Sequence, residues 1–134
     1  MEIVATWEGG YRCRVAARQF EIVSDEPPTA GGEDAGPTPT ELFLASLSTC
    51  FAMAIAHVAR KRGLELPGYQ VAVSGEYDGP RFRRVRVEVR PDGLVDGIEE
   101  LIERALAVCY VSNTLRNPLG FEVALGDQVV FTQD

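Results

Sequence analysis

The residues of this 134-residue chain best equipped for chemistry are its three cysteines, Cys13, Cys50 and Cys109. They lie far apart and make no C-x-x-C or C-x-x-H spacing, which removes the usual zinc-site and thioredoxin signatures. In a reducing compartment an odd count fits free or redox-cycling thiols better than a structural disulfide framework. A thiol in an apolar helix is by default a small buried hydrophobe. Placement raises the interest of two of them: Cys50 and Cys109 fall on the apolar stripes of two different helices, so packing those helices together can bring the thiols close. Neither is expected at a helix N-terminus, where the dipole would lower its pKa, so activation is expected from a positive side chain. Cys13 shares a strand face with Tyr11 and Val15, opposite Arg12 and Arg14, and is expected to point inward. His57 comes seven residues after Cys50, on nearly the same helix face but two turns away, too far for a direct thiolate–imidazolium pair. It reads as an interface or pocket histidine.

The element that must position Cys50 is the run Thr38 to Arg62, TPTELFLASLSTCFAMAIAHVARKR. Thr38 reads as N-cap, Pro39 as the first helical residue, and Glu41 as the carboxylate that closes a capping box. Between Leu42 and Val58 only Ser46, Ser48, Thr49 and His57 are polar, so hardly any face prefers water and the helix belongs in a core or an interface. Arg60, Lys61 and Arg62 suit its C-terminal dipole, and Gly63 its left-handed closure.

Around it, EIVATWE, Gly9-Gly10 and YRCRVAARQFEIVSD read as an opening antiparallel meander. The Gly- and Pro-rich segment EPPTAGGEDAGP reads as a loop that delivers the chain to the long helix. PGYQVAVSGEYDG and RFRRVRVEVR alternate as a hairpin with one wet, Arg-rich face. Asp96 and Glu99 read as a second capping box, for a helix with Ile98, Leu101, Ile102, Ala105, Leu106 and Cys109 in one stripe. YVSNTLRNPLG is expected to wind down through Asn117-Pro118, and FEVAL with QVVF, split by Gly126-Asp127, to close as a hairpin. The order is that of an α+β fold, with helices on one face of antiparallel sheet.

Composition narrows the function classes. At this length one domain, 1–134, is expected. A net charge of −7 without a basic stripe argues against nucleic-acid partners and acidic membrane surfaces. MEIVATWEGG is neither a signal nor a transit peptide, so a cytoplasmic location is expected, and the long run, rich in Ala, Ser and Thr with His57 inside, reads as a core helix and not a membrane span.

The run GGEDAGPTPTELFLASLSTCFAMAIAHVARKRGLEL, with VCYVSNTL, resembles the OsmC/Ohr family of thiol-dependent hydroperoxide reductases. The likeness includes the Gly-rich loop, the P-x-E-L start, the C-F of the central helix and the C-x-V-S after the second helix. It implies an OsmC-like fold, an antiparallel sheet with a long buried central helix and a second helix, in an intertwined homodimer with active sites at the subunit interface. It also implies that Cys50 is the peroxidatic cysteine and Cys109 the resolving one. The substrate is then an organic hydroperoxide and the reductant an external thiol, a lipoyl or thioredoxin-like protein, with no metal or bound organic cofactor. The family's activating arginine matches Arg12 best, with Arg14 and Arg18 as competitors, and an always-charged guanidinium suits the task. The family's partner glutamate directly follows the proline in the organic-hydroperoxide branch. Here that position is Thr40 and the glutamate is Glu41, on the opposite side of the helix from Cys50 and roughly 13 Å along its axis. Glu41 either orients an arginine or is only the cap. The rival reading is the same fold acting as a redox sensor or small-molecule binding protein with little peroxidase turnover.

Overall fold

The computed structural model describes residues 1–134, which divide into two compact units, 1–45 and 46–134. In the first, β1 (Val4–Trp7), β2 (Cys13–Ala17) and β3 (Phe20–Ser24) form an antiparallel meander. Cys13 stands opposite Trp7 on one side and Ser24 on the other, and is half-buried. β2 and β3 are joined through Arg18, held at φ 54°, a left-handed conformation unusual for a residue with a Cβ.

The Gly/Pro-rich loop after β3 is folded tightly over Asp25, whose carboxylate accepts the backbone N–H groups of Glu26 at 2.8 Å and of Glu33 and Ala35 at 3.2 Å. Two glycines are there because backbone passes close by: a Cβ on Gly32 would collide with the Glu26 carbonyl, and one on Gly36 with that of Val23. Ser24 donates to the Pro37 carbonyl at 2.8 Å, tying the end of the loop to the end of β3.

The long helix α1 spans Pro39–Lys61 and begins on the expected capping box. The Thr38 N–H donates to the Glu41 carboxylate at 3.0 Å, and the Glu41 N–H to the Thr38 hydroxyl at 3.2 Å. At the other end Gly63 is left-handed and Leu64 N–H closes on the Ala59 carbonyl, satisfying carbonyls that the last turn would otherwise leave open.

The second unit holds most of α1, the hairpin β4 (Tyr69–Asp78) and β5 (Arg81–Pro91), the helices α2 (Ile98–Val108) and α3 (Tyr110–Arg116), and the hairpin β6 (Phe121–Leu125) and β7 (Gln128–Gln133). All strand pairings are antiparallel, giving the α+β class expected. The core is a seam between two helices: Phe51, Ile55, Val58 and Ala59 of α1 meet Leu101, Ala105 and Cys109, with Val71, Val87 and Val89 of β4 and β5 packed against them. The Tyr69 hydroxyl donates to the Ala52 carbonyl at 2.8 Å, which pins β4 to the turn of α1 just past Cys50. On the outer face of the hairpin Arg90 pairs with Glu88 at 3.0 Å, the solvated face that the alternation predicts, and Arg83, at the β-bulge, pairs with Glu76 at 3.0 Å.

Three local expectations are corrected. The Asp96–Glu99 capping box does not form: Gly97, at φ 73°, takes the N-cap place, so Asp96 is one residue too early and Glu99 falls at the second helical position. The segment after Cys109, expected only to wind down after the second helix, forms a third helix, α3. And Cys109 does stand at a helix N-terminus, because the chain breaks to φ −79°, ψ 108° there, making it the last residue of one helix's cap and the N-cap of the next. The long helix also has a more uneven surround than expected. By length and composition it could cross a membrane, yet a third of its apolar window is buried inside the fold while Met53, on another side, is 70% exposed.

Candidate active site

The two helix-borne cysteines are brought together. Cys109 is fully buried, Cys50 is half-buried on the facing helix, and the Cys50 thiol is within hydrogen-bonding reach of the Cys109 sulfur. The meeting follows from the core seam. Ala54 and Ile55 are one turn on from Cys50, and Ala105 one turn before Cys109, so the stripes that pack the helices also align the thiols. All three cysteines are free thiols.

The break between α2 and α3 determines the electrostatics of Cys109. Burial pushes its thiol pKa up, but the Ser112 hydroxyl, the N–H groups of Ser112 and Val111 and the Cys50 thiol outweigh this and leave it below the ordinary thiol value. Its sulfur makes no well-aligned capping bond on α3, so the N–H groups act on it chiefly through their dipoles. Ser112 is itself buried, its hydroxyl 3.2 Å from the Cys109 carbonyl. Asn113 braces the junction, its backbone N–H donating to the Cys109 carbonyl and its side-chain amide to the Ala107 carbonyl, both at 3.0 Å. Cys109 and Ser112 occupy the N-cap and third positions of α3, but the reciprocal bonds of a capping box do not form there.

Cys50 opens onto a cavity of about 710 Å³ lined by Cys50, Met53, Ala54 and His57 of α1, and by Ala107, Val108, Tyr110 and Asn113. Its walls are mainly apolar, so a hydrophobic molecule can lie against the thiol while Cys109 stays out of solvent. His57 faces the same cavity, as its place on the helix predicts, two turns from the sulfur.

The arginine candidates differ in what holds them. Arg14 is clamped between Glu8 at 3.1 Å and Glu21 at 3.2 Å, and hydrogen bonds and charge from both raise its pKa. Arg18 lies over the Phe20 ring, 5.1 Å from its centroid, at the meander's turn. Arg12 precedes β2, pairs loosely with Glu8 at 3.5 Å, and lines a cavity of about 280 Å³ together with Tyr11, Asp25 and Glu33. Asp25 has no counterpart among the expected residues. It is 2% exposed, and although burial pushes its pKa up, the three backbone N–H donors and the charge of Arg12 bring it below the usual carboxylate range. Glu41 serves the helix start, and its hydrogen bonds with Thr38 lower its pKa.

Comparison with known proteins agrees with this architecture. The OsmC-like protein family matches residues 31–124. No curated protein matches the sequence. Among solved structures, the chain is similar to an organic hydroperoxide resistance protein from Elizabethkingia anophelis, with 27% identity, a TM-score of 0.63 and 86% of each chain covered. It is likewise similar to an organic hydroperoxide resistance protein OsmC from Legionella pneumophila, at 24% identity and TM-score 0.67 over 87% of this chain and 88% of that one. An OsmC-like protein from Mycoplasma pneumoniae matches at 19% identity and TM-score 0.73, over 87% of this chain and 86% of that one.

Proposed function

The chain belongs to the OsmC-like family, and from that premise we propose that it is a thiol peroxidase that reduces organic hydroperoxides to alcohols through Cys50 and Cys109. Family membership, with relatives named organic hydroperoxide resistance proteins, supports a redox role of the peroxidase type. The observation that carries the finer reading is the contact of the cavity-facing Cys50 with a buried Cys109 whose pKa is lowered.

In this reading the Cys50 thiolate is the nucleophile. It attacks the terminal oxygen of the hydroperoxide and the O–O bond breaks. The alkoxide takes a proton and leaves as the alcohol, while Cys50 is oxidised to a sulfenic acid. Cys109, as thiolate, then attacks the Cys50 sulfur, hydroxide leaves and is protonated to water, and a disulfide joins α1 to the α2–α3 junction. An external dithiol, on a lipoyl or thioredoxin-like protein, returns both thiols by exchange. Arg12 is our candidate for the cation that steadies the Cys50 thiolate, since Arg14 is held by two carboxylates and Arg18 by an aromatic ring. Glu41 contributes through the start of the helix. The working form in this proposal is a homodimer in the cytoplasm, which gives the exposed apolar hairpin β6–β7 a surface to cover it.

The test is direct. Reduced protein mixed with cumene hydroperoxide is expected to lose two thiols and two daltons of mass, and Cys50→Ser to abolish both changes. Unaltered thiols in the native protein sink the proposal. Sustained turnover with a dithiol separates the enzyme from a one-shot sensor.

A further inference from the structure

The cavity at Cys50 does not end at His57. A second recess of about 290 Å³ continues from it, sharing His57, Ala107 and Val108 as walls and adding Lys61, Arg62 and Arg104. The two recesses are adjacent, and α1 contributes to both along a single line. Cys50, His57 and Lys61 are seven and eleven residues apart, within about 20° of the same face at 100° per residue, and so roughly 10 and 16 Å along the axis from the thiol. The lining changes from one recess to the next: Cys50 with mainly apolar walls, Tyr110, Asn113 and the shared His57 being the polar exceptions, then Lys61, Arg62 and Arg104.

The charge at the far end is not cancelled. No carboxylate lines either recess. Arg62 and Arg104 share one acid, Glu100, at 3.0 and 3.1 Å, so two guanidinium groups meet one carboxylate. Lys61, the only lysine in the chain, forms no ion pair. In a protein of net charge −7 this is a local positive field directed along the approach to the thiol.

We infer that the recess lined by His57 and Lys61 is an anion subsite, and that the molecule whose reactive end reaches Cys50 is an amphipathic acid with its carboxylate or other anionic group held there. The class is a hydroperoxide with an apolar middle and a charged tail, which the apolar stretch and the terminal cations match in order. Lys61 binds the tail as a mobile point charge, Arg62 and Arg104 add field while bridged by Glu100, and His57 offers a ring N–H where the two recesses join. The reactive step rests on the peroxidase reading. The tail subsite does not, and it is tested without turnover.

The probe is decanoate against 1-decanol, which have the same chain length but differ in charge, each added while N-ethylmaleimide alkylates Cys50 and peptide mass spectrometry reads that site. Decanoate is expected to slow alkylation of Cys50 on the order of tenfold more than decanol, the worth of one charge-assisted contact. Lys61→Gln is expected to remove the difference and Lys61→Arg to keep it, which also controls for folding. Equal slowing by the two compounds, slowing by neither, or a difference that survives Lys61→Gln overturns the inference. In turnover, the kcat/KM preference for a long-chain acid hydroperoxide over its methyl ester is expected to collapse in Lys61→Gln. If no hydroperoxide is turned over, the peroxidase reading fails while the alkylation result still decides the subsite.

Discussion

At the scale of single residues, the proposed cycle depends on Ser112 as well as on the two cysteines. Burial alone would make Cys109 a poor thiolate, and the Ser112 hydroxyl and the N–H groups at the start of α3 reverse that. Because the Cys109 pKa is depressed, disulfide closure in the proposed cycle is expected to stay fast below the ordinary thiol pKa and to slow as the pH falls through the lowered value. Ser112→Ala removes one stabilising donor and raises that pKa. The pH limb for disulfide formation, followed by stopped-flow after one equivalent of hydroperoxide, is therefore expected to move to higher pH in Ser112→Ala. An unmoved limb would mean that the hydroxyl serves only the Cys109 carbonyl. Asp25 makes a similar point about legibility. One aspartate before a Gly/Pro loop looks like surface polarity, and only the fold reveals that three backbone donors converge on it.

At the scale of elements, what could be read in the sequence was what is local and periodic. The Thr38–Glu41 box, the Gly63 closure and the alternation of β4 and β5 each depend on residues within a few positions of one another, and each formed as read. The Asp96–Glu99 box had the right spacing but lost to Gly97, whose freedom at positive φ lets it start the helix one residue later. α3 was missed because seven residues are too few for a periodic pattern, and because no Gly or Pro marks the break at Cys109. The consequence was chemical: reading a continuous stripe through Cys109 hid the one cysteine at a helix start. The placement of Cys50 also depends on a neighbouring element. Tyr69 donates from β4 to the Ala52 carbonyl, so Tyr69→Phe loses one part-buried hydrogen bond and is expected to cost about 1 kcal/mol of stability. Chemical denaturation measures that cost, and the same variant is expected to slow disulfide closure by loosening the α1 turn next to Cys50.

At the scale of the whole molecule, the chain leaves apolar surface uncovered. Every residue of β6 and β7 is exposed, including Phe121, Val123, Val129 and Phe131, and the rings of Phe121 and Phe131 pack edge to face 6.4 Å apart. A two-stranded hairpin with an exposed apolar face is marginal in water, and it is the surface that the proposed dimer would cover. Phe131→Glu is expected to convert a dimer to a monomer in sedimentation or light scattering, and a wild-type protein already monomeric at micromolar concentration would refute the assembly proposed. Sequence could expose the excess of apolar residues in the closing hairpin but not its lack of cover, because alternation describes a strand's faces and not what lies against them.

The contact between Cys50 and Cys109 bears on how firmly the protein holds its own oxidation. A bond between them would close a loop of 59 residues in the unfolded chain, counting from position 50 to 109. By loop-closure entropy that restrains the unfolded state by about 4 kcal/mol. The oxidised protein is therefore expected to melt well above the reduced one, a difference that calorimetry measures with and without a dithiol. Linkage makes the relation mutual: a fold stabilised by the bond stabilises the bond in return, lowering its reduction potential by about 90 mV relative to the unfolded chain. Recovery of the reduced protein then calls for a strongly reducing dithiol, and melting temperature becomes a meter of redox state.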